Sequence, residues 1–289
     1  MNTGNRLLLS LGVVSLGCVL LGCKELEQAT RGLNDPTLTA ITRSVTLATR
    51  ATDALLPISS EEETAIGQAI AVQVVSRYGG LVNDQTLTTY VNLVGRTVAN
   101  TCDRPGIPYR FAVLNHDSLN AFAAPAGYIF VTKGLVNAAK NEAELAAVLG
   151  HEIAHVSTKH ILSIIQRSKQ IAGVTDGGLE YFKQDPSKFK GIIDEALRKL
   201  LDEGLDRDKE LEADRLGVVF AARAGYDPTA YATLLARMRM IKGDDLALFK
   251  SHPTFSERIT VVQGVVTEQG LKSNGVLLAE RFAKSVRKT

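Results

Sequence analysis

The 289-residue chain has no tryptophan, an aromatic share of only 6% and three cysteines. Without Trp, and with no basic run interleaved with aromatics, it lacks the stacking platforms and cationic stripe of a nucleic-acid binder; a net charge of +2 points the same way. Three cysteines are too few for a disulfide framework. There is no evident internal repeat, and only one long apolar run, near the N-terminus. The rest of the chain therefore offers no spanning segment. What the sequence does have is Ala, Leu and Val in abundance, a composition that leans towards helix.

The apolar run covers Leu7 to Leu21, interrupted only by Ser10 and Ser15, after a positive end at Met1 and Arg6. It is short for a spanning helix, which needs about 20 residues, and suits the core of a signal peptide. It ends in Leu20-Leu21-Gly22-Cys23, which resembles the lipobox of bacterial lipoproteins; Ser15-Leu16-Gly17-Cys18 is a weaker rival. The expectation is a lipoprotein signal peptide over 1–22, lipidation of Cys23 and a polar tether over 23–36. An ordinary cleaved signal or an uncleaved anchor is the alternative. Lys24 after the cysteine favours, by resemblance to lipoprotein sorting, an outer-membrane protein facing the periplasm. Cys102 is then the one unmodified thiol, expected to be a buried apolar residue.

Along the body, a helical stretch from Leu38 to about Leu56 ends at Pro57. Ser60-Glu61-Glu62-Glu63 has capping-box form and opens a helix to about Arg77. Leu87, Val91, Val94 and Val98 recur at helical spacing. The pattern then turns β-rich, at Tyr109 to Leu114 and in two short strands within 120–132 around Pro125-Ala126-Gly127. A long helix begins at Asn141-Glu142-Ala143-Glu144, another capping box. Residues 173–190 read as a loop. Helices return near 191–203, 207–224, 228–241 and 255–268; the tail over 270–289 carries no pattern. The expected class is α+β, mainly helical, with one small sheet.

His151-Glu152-Ile153-Ala154-His155 sits in the long helix. Two His at i and i+4 project from one face, one turn apart, so both rings can reach one ion. Glu152 points to the side of that pair, where its carboxylate can take a proton from an attacking water. This is the logic of His-Glu-x-x-His: two zinc ligands and a general base. A catalytic zinc needs a third protein ligand. Glu210 is the candidate, and Asp214, four residues on, could orient a ligating His. Spacing alone does not separate this from a solvated acidic helix start, and Glu212 is a rival ligand. His116 and His160 are read as non-ligands; His160 lies five residues past His155, turned about 140° away on an ideal helix.

Four stretches, NAFAAPAGYIFVTKGLV (120–136), NEAELAAVLGHEIAHV (141–156), ELEADRLG (210–217) and SHPTFSERI (251–259), carry a resemblance that extends across about half of the chain. The chain resembles the gluzincin metallopeptidase family that includes HtpX and the CAAX prenyl endopeptidases, and within it the soluble periplasmic members of bacteria. Ala126 stands where many relatives have Gly. The resemblance implies a zincin-like peptidase domain over 37–269, with the small sheet beside the His-Glu-x-x-His helix and one Zn²⁺ on His151, His155 and Glu210. It brings His252 near the site, to stabilise the oxyanion or to occupy zinc's fourth position, and makes Arg258 a candidate for binding substrate or closing the site. The strand Gly127, Tyr128, Ile129, Phe130, Val131 is expected beside the cleft, where a free edge could take substrate as an added strand. The implied function is a zinc metalloendopeptidase acting on unfolded or misfolded envelope proteins. The alternative is a chaperone-like outer-membrane assembly factor with secondary or latent proteolysis. A non-catalytic zinc scaffold has no use for Glu152.

Overall fold

A computed structural model describes residues 58–171, 186–243 and 253–286, all of which belong to one unit. The expected signal peptide, Cys23, the tether and the helix from Leu38 lie outside the described residues, as does His252.

Helix α1 (Ser60–Arg77) starts where the Ser59 hydroxyl accepts from the Glu62 N–H, with Glu61, Glu62 and Glu63 at the positive end of the dipole. The cap is thus one residue earlier than the capping box suggested. Helix α2 (Gln85–Ala99) is capped by Asp84 and buries Leu87, Val91, Val94 and Val98. Three strands follow: β1 (Arg110–Leu114), β2 (Ala121–Ala124) and β3 (Tyr128–Thr132). Their order is β1-β3-β2, with β1 parallel and β2 antiparallel to β3. Between β2 and β3 a tight turn holds Ala126 in the left-handed region (φ 59°). Its N–H donates to Glu63, which Arg104 also holds.

After the short helix α3 (Lys133–Ala138) comes α4 (Glu142–Ser157), whose Asn141 side chain accepts from the Glu144 N–H. Every residue of α4 from Glu142 to Val156 is buried. A helix enclosed on all sides is the pillar of a fold rather than a surface helix. Helices α2, α7 and α8 and strand β2 pack around it. The motif helix is therefore held rigidly, which a metal centre requires.

Helices α5 (His160–Ile171) and α6 (Pro186–Leu197) come next, α6 running on into a π-helical stretch at Arg198–Glu203. Of the loop expected over 173–190, residues 186–190 are helical instead. Pro186 takes the first helical position, which tolerates its missing N–H, and burial of Ile192, Ile193 and Ala196 holds the helix despite Gly191. Residues 172–185 lie outside the described residues.

The remaining helices are α7 (Arg207–Arg223), α8 (Ala230–Lys242), α9 (Phe255–Glu268) and α10 (Ala279–Ser285). A separate tail from 270 is not what the structure contains. Phe282 and Val286 join the core, and the Leu277 carbonyl accepts from the Glu142 N–H, one of the otherwise unpaired donors at the start of α4. The buried Glu142 carboxylate accepts from Tyr90 and Tyr226 at 2.7 Å each and is paired with Arg281 of α10. The last described helix thus clasps the N-terminal end of the motif helix. Among the described residues, no helix is long and apolar enough to cross a membrane.

Helices α4 and α7 cross in backbone contact. A Cβ placed on Gly150 would lie 2.6 Å from the Gly217 carbonyl oxygen, and one on Gly217 would lie 2.6 Å from the His151 nitrogen. Only residues without a side chain allow this approach. It brings the first turns of α7 alongside His151 and His155.

Candidate metal centre and active site

His151 and His155 face the same side of α4, with their Nε2 atoms 3.0 Å apart. Glu210, in the first turn of α7, places one carboxylate oxygen 3.6 Å from His151 Nε2 and the other 3.7 Å from His155 Nε2. The three groups offer ligand atoms all within 4.8 Å of one another. Zinc–nitrogen bonds of about 2.0–2.1 Å in a tetrahedron place two ligand nitrogens roughly 3.3 Å apart, so small adjustments would seat an ion among these atoms. The donor set, two imidazoles and one carboxylate in a buried recess, suits zinc and leaves a fourth position free for chemistry.

The outer nitrogens of both rings are engaged. His151 Nδ1 lies 2.8 Å from Asp214, a fully buried carboxylate. Asp214 accepts in addition from Arg258 at 2.7 and 2.9 Å and from the Tyr231 hydroxyl at 3.1 Å. Arg258 also donates to Tyr231 at 2.6 Å. Arg258, a candidate for binding substrate or closing the site, lines the cleft, and its hydrogen bonds hold Asp214 and Tyr231 in place.

His155 Nδ1 lies 2.9 Å from His160 Nδ1, and His160 Nε2 lies 3.1 Å from Glu212. Ideal helical geometry turns His160 away from the site; the structure instead bonds it to His155 and Glu212. Helix α4 ends at Ser157, and Lys159 adopts φ +60°, so the ideal helical angle does not carry across the break. Helix α5 then begins at His160 and returns its ring to His155. Neither Glu212 nor Tyr231 was recognised as a supporting residue. The signal that was present is the position of Glu212 and Asp214 two and four residues past Glu210, on the same helix. His160 is outside the ligand cluster, as is His116, which bonds Ser118 and packs edge-on to Tyr78.

These contacts set the charges. Burial raises the Glu152 carboxyl to about 7, with the Glu210 charge adding to it. Burial lowers His155 to about 3, helped by the neighbouring charge on His151. At His151 burial opposes the charged ring, but hydrogen bonds to Asp214 and Glu210 raise it to about 9. Burial also opposes ionisation of Asp214, yet the Arg258 charge holds it well below the usual carboxylate range.

His151, Glu152, His155 and Glu210 open into a cleft of about 270 Å³. Ala121 and Ala123 of β2 form part of its wall, with Leu200 and Leu205 from the segment before α7. The strand beside the cleft is therefore β2 and not β3. Tyr128, Ile129, Phe130 and Val131 lie in the central strand, paired on both sides, and Gly127 packs on Ile107 and Tyr109. None of the five lines the cleft. The Thr132 N–H donates to the Asn120 carbonyl, and antiparallel alternation from that pair turns the N–H and C=O groups of Ala121 and Ala123 away from β3. That edge of β2 has no strand partner among the described residues.

Comparison with known proteins adds the lineage. The family model described as Peptidase family M48 matches residues 85–266. The chain is 28% identical over 195 residues to the beta-barrel assembly-enhancing protease of Yersinia pestis, covering 65% of this chain and 40% of that protein. It is 28% identical over 224 residues to the mitochondrial metalloendopeptidase OMA1 of Schizosaccharomyces pombe, covering 74% and 64%. It is 26% identical over 192 residues to the metalloprotease LoiP of Escherichia coli K12, covering 64% and 71%. The match thus spans well under half the length of the Yersinia relative and most of LoiP. With the family model spanning well over half of its length, including both the His-Glu-x-x-His helix and the helix that supplies Glu210, this chain belongs to peptidase family M48.

Proposed function

We propose that this chain is a zinc-dependent endopeptidase that hydrolyses peptide bonds in unfolded or misfolded proteins of the bacterial envelope. The observation that carries the reading is the convergence of His151, His155 and Glu210 beside Glu152 in one buried cleft. His151, His155 and Glu210 would hold one zinc ion per chain, with Asp214 fixing the His151 ring. When bound, zinc supplies Lewis acidity, acidifying water and polarising the scissile carbonyl. Glu152 takes the proton of the attacking water as its oxygen bonds to the carbonyl carbon. Glu152 then gives that proton to the amide nitrogen as the carbon–nitrogen bond breaks. In the metal-free site burial raises the Glu152 carboxyl, the direction that suits a group holding a proton between the two steps.

The edge of β2 away from β3, which has no strand partner among the described residues, supports substrate binding as an added strand at Ala123, while the Ala121 N–H donates to the Asn120 side chain. Such binding reads main chain rather than side chains and selects segments that can be extended. His252 and lipidation of Cys23 belong to this reading on the sequence alone, His252 beside the centre and Cys23 as the anchor in an outer membrane facing the periplasm. A second reading, an outer-membrane assembly factor with secondary proteolysis, draws on the name of the Yersinia relative.

The test is cleavage of unfolded casein by the purified chain beside Glu152→Gln, with zinc content measured for both. Loss of cleavage with zinc retained supports the assignment; cleavage by Glu152→Gln at the parent rate would sink it. Rescue of outer-membrane assembly by Glu152→Gln would favour the second reading.

A further inference from the structure

We infer that His160 and Glu212 are positioning residues that fix the tautomer and orientation of His155 as a metal ligand. The inference rests on the proposed metal centre and adds to it. The contacts form a directed chain: His155 Nδ1 to His160 Nδ1 at 2.9 Å, then His160 Nε2 to Glu212 at 3.1 Å.

The proton positions follow from chemistry. An ionised carboxylate can only accept, so His160 Nε2 carries a hydrogen and donates to Glu212. In a neutral imidazole the other nitrogen is then an acceptor. A His155 that ligates as a neutral ring through Nε2 carries its hydrogen on Nδ1, and that atom lies 2.9 Å from His160 Nδ1. His160 Nδ1 therefore accepts, and the hydrogen between the two rings belongs to His155 Nδ1. That leaves the His155 Nε2 lone pair directed at His151 and Glu210, the state a metal ligand needs. The opposite tautomer of His160 would break the bond to Glu212 and put the His155 proton where the metal would sit.

The arrangement also explains the spacing within α7. Glu210 contributes a ligand, Asp214 fixes His151 directly, and Glu212 fixes His155 through His160. One helical segment thus supplies the third ligand and orients both of the others. It does so across the break at Lys159, which turns His160 back towards α4.

The experiment measures Zn²⁺ affinity of the full-length chain by competition with a chromophoric chelator. The variants are His160→Leu, His160→Gln, Glu212→Ala and His155→Ala. Leu removes both bonds at similar bulk. Gln can accept from His155 through its carbonyl and donate to Glu212 through its amide. Affinity is expected to fall about 10- to 100-fold in His160→Leu, and to be largely restored in His160→Gln. In Glu212→Ala, where the side chain is 53% exposed and folding is not at stake, a several-fold loss is expected.

Unchanged affinity in His160→Leu, or equal loss in His160→Leu and His160→Gln, would overturn the inference, the second by showing that packing alone matters. Should His160→Leu fail to fold, Glu212→Ala decides: loss supports the inference and parental affinity overturns it. If the parent binds no zinc, or His155→Ala binds it as the parent does, the metal centre itself is overturned, and the inference with it.

Discussion

Substituting Gly217 by Ala should separate two effects that usually run together. In an ordinary helix interior the change stabilises by about 1 kcal/mol, because Ala is the better helix former. At this crossing the new methyl would lie 2.6 Å from the His151 nitrogen, 2.8 Å from its Cα and 2.9 Å from the Gly150 carbonyl carbon. Carbon contacts sit at about 3.5–4 Å, so α4 and α7 must part by roughly 1 Å. Both neighbours are helix backbone, and α4 is enclosed by other elements, so the strain cannot be relieved by one side-chain rotation. Overpacking of this kind costs about 1–3 kcal/mol, which outweighs the helix-propensity gain.

The larger effect falls on the centre. Glu210 lies two turns before Gly217 on the same helix and moves with it, whereas metal–ligand distances tolerate about 0.2 Å. Zinc affinity should therefore drop, and casein cleavage should fall on the order of 100-fold. Thermal unfolding in excess EDTA reads the packing term alone; chelator competition reads the centre. A raised melting temperature with unchanged zinc affinity would refute the argument, because the crossing would then not set the position of Glu210.

Two further outcomes follow from buried carboxylates. Arg258→Ala leaves Asp214 buried without its guanidinium and should destabilise the metal-free protein by about 3–5 kcal/mol; a raised KM with unchanged melting would instead mark Arg258 as a substrate contact. Glu142→Gln should cost on the order of 3 kcal/mol by disrupting the clasp of Tyr90, Tyr226 and Arg281. Burial works against ionisation of Glu142, but the hydrogen bonds from Arg281 and both tyrosines prevail and lower its pKa from 4.5. A lowered folded pKa means stability present above the unfolded value and lost as pH falls through the folded one. Glu142→Gln should accordingly flatten part of the loss of stability below about pH 4.5, read by urea unfolding at several pH values.

What could be read along the chain was whatever depends on neighbours in sequence. The i, i+4 spacing of His151 and His155 puts two rings on one helical face by geometry alone. The cap at Asn141 marks a helix start because its side chain bonds the N–H three residues on. The strands announce themselves by β-rich runs broken at Pro125-Ala126-Gly127. Family resemblance extended this to Glu210, which no local rule could single out from its acidic neighbours.

What the tertiary structure decided was everything that depends on contact between distant segments. Strand order is one case: β2 and β3 read alike as short apolar runs, and only pairing with β1 makes β3 central and leaves the edge of β2 to the cleft. His160 is another, since one left-handed residue at Lys159 cancels the helical angle that set it aside. The patternless tail is a third, drawn into the core through Phe282 and bound to Glu142 through Arg281. Gly150 and Gly217 are the last: in sequence they are two weak helix formers, and in space they are the backbone contact that carries Glu210 to the histidines. Periodicity reports which face a residue occupies on its own element, whereas a site is made where faces of different elements meet, and that meeting is set by packing.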